Sequence, residues 1–453
     1  MATIVFFSIP AQGHVHPTLG VVRELTARGH RVIYYSYERF REKIRAAGGE
    51  FVGCESLDPT MGLTRQAGAR VGSDLALSTR VLVDTLLALD EPVCREMERL
   101  KPDCIVGDSM AVWAKTAAQK LGIPYVCSMT TFAFNRESAK IMPHSLKDTL
   151  GMLLSMGKVT REIRRLQEAG YPVKSVLELI GCDETVPTVV YTSQLFQPAA
   201  QSFPKNFAFV GPSLRPVETP VKKTGKTLIY ISMGTVNNEM PALYRACIEA
   251  FQATPYQVIL SAGACAQVIK QGKLSENVFV QSAVDQIGVL EKTDIFLTHC
   301  GMNSASEGLY FGVPLLMLPQ TSEQKGVARR VSQLGAGVLL KGTSPGEIRR
   351  AAERLLRDPS YRKNAEKIGE SFRASGGASA AADRIEAEIA EKGCNTAKQR
   401  RKTDFRNVQI AHISRWRTKT DPLPSIDGYS KKREEKVRRH SGASSWNAAF
   451  FSL

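Results

Sequence analysis

The stretch from Thr298 to Gly308, Thr-His-Cys-Gly-Met-Asn-Ser-Ala-Ser-Glu-Gly, constrains this 453-residue chain more than any other. The apolar run Ile295-Phe296-Leu297 leads into it and reads as a buried parallel strand. His299 then stands at the carboxyl end of that strand. A turn of small residues follows, in which Asn303 and Ser304 are helix-capping types. A helix is expected over residues 305–310, closed by Gly312 and Pro314. Strand, tight turn and helix start together make an anion site, because unpaired N–H groups and the positive end of the helix dipole point above the strand. A diphosphate fits such a site. Glu307 lies near the helix start, where a carboxylate can accept from ribose hydroxyls. Glu323 and Gln324 follow the next apolar run and can accept from and donate to sugar hydroxyls.

A second strand, turn and helix stand at the amino end. Ile4–Phe7 is a short apolar run, Ser8–Gly13 reads as a loop, and a helix is expected from about Thr18 to Arg28, stopped by Gly29. The loop carries two imidazoles, His14 and His16. A His-x-His pair can bind a metal, but no third ligand is visible nearby. Asp108 emerges at the end of a strand expected over Cys104–Gly107, on the edge where ligands of open parallel sheets gather. There it can orient an imidazole, or it can serve only as the N-cap of the helix through Trp113 and Ala118. Ser232-Met233-Gly234-Thr235 makes another small turn after the run Thr227–Ile231, with hydroxyls and N–H groups suited to a phosphate or to a plain turn.

Apolar runs alternate with helical patterns throughout. In the first half, strands are expected at Thr3–Ser8, Val32–Tyr35, Cys104–Gly107, Tyr125–Ser128, Thr188–Tyr191 and Ala208–Val210. In the second, they are expected at Thr227–Ser232, Gln257–Leu260, Val278–Gln281, Ile295–Thr298, Leu315–Leu318 and Val338–Leu340. Gly211–Lys223, with three prolines, reads as a linker. The alternation predicts an α/β chain of two doubly wound sheets. Residues 57–72 show weak periodicity, and the Met- and Leu-rich stretch 132–170 reads as helices and loops around an apolar pocket. No apolar run approaches the ~20 residues that span a bilayer, and residues 1–9 lack a basic signal-peptide start. The nine cysteines are scattered without a Cys-x-x-Cys pair, as expected of reduced thiols in a cytoplasmic protein.

Together the long 298–324 segment, the Gly13-His14 turn and Asp108 resemble the family 1 UDP-sugar glycosyltransferases, the bacterial macrolide and flavonoid enzymes in particular. The resemblance runs from about Thr3 to about Lys392. It implies the GT-B fold: an acceptor-binding domain over 1–210, a linker over 211–226, a UDP-sugar domain over 227–377 and a helix over 378–392 that crosses back to the first domain. It implies that His14 is the general base on the acceptor hydroxyl, with Asp108 as its partner, while His16 is a pocket residue. The donor would be held by Ser232, Gly234, Thr235, Ala283, Gln286, His299, Gly301, Asn303, Ser304, Glu307, Glu323 and Gln324. The acidic-Gln ending goes with UDP-glucose. The expected reaction is inverting transfer of a hexose to a hydroxyl of a hydrophobic small molecule, with no metal or other cofactor. A UDP-sugar epimerase and a non-catalytic sugar-nucleotide binder are the alternatives. The chain departs from the family at two places: Ala283 stands where relatives carry an aromatic that stacks on uracil, and Asp285 replaces a Pro.

The stretch from Asn395 to Leu453 holds fourteen Lys and Arg against five Asp and Glu, so +9 of the chain's +16 lies there. Without it the charge demands no nucleic acid or other polyanion as partner. This basic tail, within residues 393–453, has no helical period and is expected to be disordered. A chain truncated after Lys392 should keep its melting temperature and activity. A loss of either, measured side by side with the full chain, would make the tail part of the architecture.

Overall fold

The computed structural model describes residues 1–54, 74–141, 146–180, 185–224 and 227–391, with the backbone alone at 139–141, 146–154 and 177. The weakly periodic 57–72 stretch and the basic tail lie outside the described residues, as do the side chains at the centre of the 132–170 stretch.

Seven strands build the first sheet: β1 (Thr3–Phe7), β2 (Arg31–Ser36), β3 (Glu50–Gly53), β4 (Cys104–Asp108), β5 (Tyr125–Met129), β6 (Thr188–Val190) and β7 (Phe207–Phe209). Six build the second: β8 (Leu228–Ser232), β9 (Gln257–Ser261), β10 (Val278–Gln281), β11 (Ile295–Thr298), β12 (Leu315–Met317) and β13 (Gly337–Leu339). Their orders are 3-2-1-4-5-6-7 and 10-9-8-11-12-13, and every pairing is parallel. Helices cover both faces of such sheets, so the inner strands are apolar throughout instead of alternating. β4, β5, β8 and β11 are buried along their whole length. In each sheet the order reverses once, between β1 and β4 and between β8 and β11. Neighbouring crossovers part company there and leave an open crevice at the carboxyl ends. This is the two-sheet GT-B architecture expected from the alternation.

Three local expectations are corrected. β3 was not foreseen, because a four-residue edge strand with only Phe51 and Val52 apolar shows no period. The first helix spans Gln12–Ala27 and not 18–28, so His14 and His16 lie within its first turns instead of in a loop. The helix after β11 spans Met302–Tyr310. Gly301 is its N-cap and supplies no side-chain hydrogen bond, so Asn303 and Ser304 sit inside the first turn and do not cap it. Glu307 accordingly falls in the second turn. The preceding Cys300 takes the left-handed conformation, φ 64°, which lets the chain turn from strand to helix in three residues.

Contacts away from the crevice also join the halves. Phe196, after β6, is fully buried, with Phe132 at 5.4 Å and Phe372 edge-on at 5.5 Å, and Arg330 donates to its carbonyl at 3.0 Å. A closing helix over residues 377–391 returns to the first sheet. Arg28 donates to Asp383 at 2.6 Å and to Glu386 at 2.7 Å, and the His30 ring meets Glu386 at 2.7 Å. His30 and then Arg28 hold the Glu386 carboxyl below its usual range, against the effect of burial. No described helix is long and apolar enough to cross a membrane. Replacing Phe196 by Ala should destabilise the protein by about 3–5 kcal/mol through the cavity it leaves. Denaturant unfolding of the variant beside the parent measures this, and a change within 1 kcal/mol would deny the contact that role.

Candidate active site

β1 and β4 are neighbours, with Phe7 opposite Gly107. The helix start after β1 therefore lies beside the end of β4. His14 Nδ1 meets Asp108 Oδ2 at 2.7 Å, with Thr130 Oγ1 at 3.2 Å from the same nitrogen. An ionised carboxylate only accepts, so Nδ1 carries the proton and Nε2 keeps its lone pair. Asp108 is 1% exposed, and its other oxygen accepts from the Met110 N–H at 2.8 Å. It does not cap the following helix, Val112–Leu121, whose N-cap is Ala111. Burial pulls the His14 pKa down, but the charge and hydrogen bond of Asp108, with Glu323, lift it above 6.5. His16 faces elsewhere. Lys43 Nζ donates to its Nε2 at 3.0 Å, and burial with the Lys43 and Arg215 charges holds its pKa at about 4. Lys43 thus occupies the lone pair of His16 Nε2.

Pro17 connects this helix to the second half. Lacking an N–H, it leaves the carbonyl of Gly13, four residues back, without an intrahelical donor. Asn303 Nδ2 supplies one at 3.0 Å. The start of the helix bearing His14 thus touches the start of the Met302–Tyr310 helix.

On the second sheet Thr298 is opposite Ser232, which sets His299 against the turn after β8. Gly234 (φ 78°) and Gly301 hold the imidazole between them: a Cβ on either would come within 2.6 Å of the ring. Ser232 Oγ accepts from the Gly234 N–H at 3.4 Å. Burial lowers the His299 pKa to about 4, so the ring is neutral near pH 7. Its Nδ1 is buried without a hydrogen-bond partner among the described residues. The expected phosphate contact is then an N–H donor and not an imidazolium.

Gln286 starts the helix Gln286–Leu290 and organises a third group. Its amide donates to Glu307 Oε2 at 2.6 Å and approaches Ser304 Oγ at 3.5 Å, and Tyr230 donates to its oxygen at 3.1 Å. Burial raises the Glu307 pKa, Gln286 and Arg215 pull against it, and Asp285 adds to it. Glu323 lies in the first turn of the Ser322–Gln333 helix and accepts from the Met302 N–H at 3.3 Å. Burial pushes its pKa up to about 7 against the effects of that bond and of His14. Gln324 forms a capping box with Thr321, its oxygen accepting from the N–H of Gln320 at 2.8 Å and of Thr321 at 3.2 Å. That leaves its amide hydrogens for a ligand. Ala283 and Thr235 sit exposed at the rim.

The structure thus brings His14, Asp108, Asn303 and Glu323 to one place, His299, Gly234 and Gly301 to a second, and Gln286, Ser304 and Glu307 to a third. Thr130, Tyr230 and Arg215 join these groups and were not foreseen. Thr130 follows a strand end, which was a usable signal. Arg215, one of three cations in a proline-rich linker, gave none.

Two doubly wound sheets whose crevices carry a His–Asp pair and a glycine-cradled helix start define a GT-B transferase. Residues 211–373 match the family described as UDP-glucoronosyl and UDP-glucosyl transferase. The chain is 32% identical to the NDP-glycosyltransferase YjiC of Bacillus licheniformis, over 86% of this chain and 98% of the relative. It is 30% identical to the demethyllactenocin mycarosyltransferase of Streptomyces fradiae, over 85% and 86%. The crystal structure of the kitacinnamycin glycotransferase superposes with a TM-score of 0.74 at 28% identity, over 85% of this chain and 98% of that one. The chain belongs to the family 1 glycosyltransferases.

A base must be neutral to accept a proton, so turnover should fall as pH drops below the raised pKa of His14. In Asp108→Asn, burial acts without the opposing charge. The acid limb of kcat/KM should move to lower pH and the plateau should fall. A limb at the same pH would mean that Asp108 does not set the charge state of His14.

Proposed function

We propose that the protein moves a hexose, glucose, from UDP-glucose or a related UDP-sugar to a hydroxyl of a hydrophobic small molecule such as a macrolide, flavonoid or other phenol. The observation that carries this reading is the His14–Asp108 pair at 2.7 Å. It leaves Nε2 free to take a proton, beside a helix start suited to a diphosphate. Two similar proteins, a demethyllactenocin mycarosyltransferase and a kitacinnamycin glycotransferase, favour a natural-product acceptor. Ala283 at the rim offers the base no ring to stack on, and thymidine diphosphate sugars are the second donor class that this reading admits.

The acceptor oxygen attacks the anomeric carbon from the face opposite the diphosphate. Its proton passes to His14 Nε2, the bond from that carbon to the β-phosphate oxygen breaks, and UDP leaves with the electron pair, so the configuration inverts. Asp108 steadies the imidazolium that forms. The N–H groups opening the Met302–Tyr310 helix, which have no intrahelical acceptor, and the neutral His299 ring meet the charge gathering on the diphosphate. This reading assigns that task to protein donors and routes no step through a metal. Glu307, held by Gln286, takes the ribose hydroxyls, and Glu323 and Gln324 take those of the hexose.

His14→Ala should lower transfer to an alcohol by ~10²–10⁴-fold while calorimetric UDP affinity is kept. Glu307→Ala should do the reverse, weakening UDP. Near-parental turnover in the first variant, read by mass spectrometry of the glycoside, would remove His14 as the base. Unchanged UDP affinity in the second would remove the ribose site.

A further inference from the structure

Asp285 stands at the N-cap of the Gln286–Leu290 helix but makes no capping bond. Its carboxylate turns to the linker instead. Oδ2 accepts from the N–H groups of Glu218 at 2.7 Å and Thr219 at 2.8 Å, and Oδ1 meets Arg215 Nη1 at 2.6 Å. The Asp285 side chain is 4% exposed. Nη1 also lies 3.5 Å from Glu218 Oε1, and neither Oδ1 nor Nη1 makes a hydrogen bond of good geometry among the described residues, so the contact is an ion pair. Breaking the pair would leave the buried Asp285 carboxylate with its two backbone N–H donors but without its countercharge, a costly outcome for a buried ion. The next residue, Gln286, is the one whose amide holds Glu307 at 2.6 Å. Successive residues thus fasten the linker and the acidic group proposed for the ribose.

We propose that Arg215, pinned by Asp285, is a positioning residue for the donor ribose: it locks the linker to the start of this helix and its charge keeps the buried Glu307 carboxylate ready to accept ribose hydroxyls. The proposal rests on the reading of Glu307 as the ribose ligand. The groups facing Glu307 are Arg215 from the linker, Asp285 and Gln286 from the short helix, Tyr230 from β8 and Ser304 from its own helix. Among them Arg215 is the cation. It offsets burial and the like charge of Asp285, both of which favour the protonated acid. With Arg215 removed, Asp285 faces Glu307 unneutralised, and the carboxyl protonates at a higher pH. A protonated Glu307 accepts fewer hydroxyl hydrogen bonds, so donor binding should become acid-sensitive.

The test is calorimetric titration of the full chain with UDP and with 2′,3′-dideoxyuridine diphosphate from pH 6 to pH 9. Arg215→Met keeps the aliphatic length, and Arg215→Lys keeps the charge. The parent should favour UDP over the dideoxy compound across the range. Arg215→Met should lose about tenfold in UDP affinity at pH 6.5, regain it towards pH 9, and bind the dideoxy compound as the parent does. Arg215→Lys should follow the parent. If the parent does not distinguish the two nucleotides, the ribose reading itself fails. If the parent distinguishes them but Arg215→Met keeps the parental pH profile, or Arg215→Lys behaves as Arg215→Met, the positioning role is overturned. A uniform fall in both ligands at all pH values would mark a structural part only and equally overturn it.

Discussion

The constraint on which the site depends is the reversal of strand order in a parallel sheet. Parallel strands need crossovers, and where successive crossovers pass to opposite faces the strand ends cannot be covered. β1 and β4 flank one such gap, and β8 and β11 flank the other. His14 and Asp108 are 94 residues apart in sequence, yet the pairing of Phe7 with Gly107 sets them within a hydrogen bond. The pairing of Thr298 with Ser232 likewise sets the His299 ring against Gly234. No special local stability is needed to bring these groups together, since the register of fully buried apolar strands does it.

Two backbone irregularities then refine what the sheets provide. Cys300 accepts a left-handed conformation that a side chain disfavours, and the helix after it can begin immediately at Met302. Pro17 interrupts the hydrogen bonding of the Gln12–Ala27 helix, and the freed Gly13 carbonyl becomes the acceptor for Asn303. In a lone helix this loss would be a defect. Here it provides a bond between the two halves one residue before His14.

Much of this was legible from sequence. Thirteen strands were too apolar to be anything else, except β3, whose four residues at a sheet edge offer no period. The long 298–324 segment marks its own turn, because strand, glycine and helix signals fall within a few residues. What was not legible came from contacts between distant segments. The start of the first helix was misplaced by six residues, because Pro17 read as a boundary when it is an interior residue tolerated through Asn303. Asp285 was visible as a departure from the family pattern, but its purpose needed the linker N–H groups and Arg215 in view. Gln324 looked like a free sugar ligand, yet half of its amide is spent on a capping box that only the helix start reveals.

Three imidazoles near the crevice show why residue type alone could not assign the chemistry. All three are substantially removed from water, and burial alone disfavours the charged ring. His299 has burial and nothing else, and its pKa falls to about 4. His16 has burial plus the repulsion of Lys43 and Arg215, and also falls to about 4. His14 has burial opposed by Asp108 and Glu323, and alone of the three rises above 6.5. A general base must gain a proton in the transition state without prohibitive cost, so only an imidazole already flanked by negative charge suits the role. A phosphate donor must instead present an N–H without drawing a counterion of its own, which a neutral ring between two glycines does. The carboxylates at the end of β4 and at the start of the Ser322–Gln333 helix therefore decide which of the three histidines can carry charge.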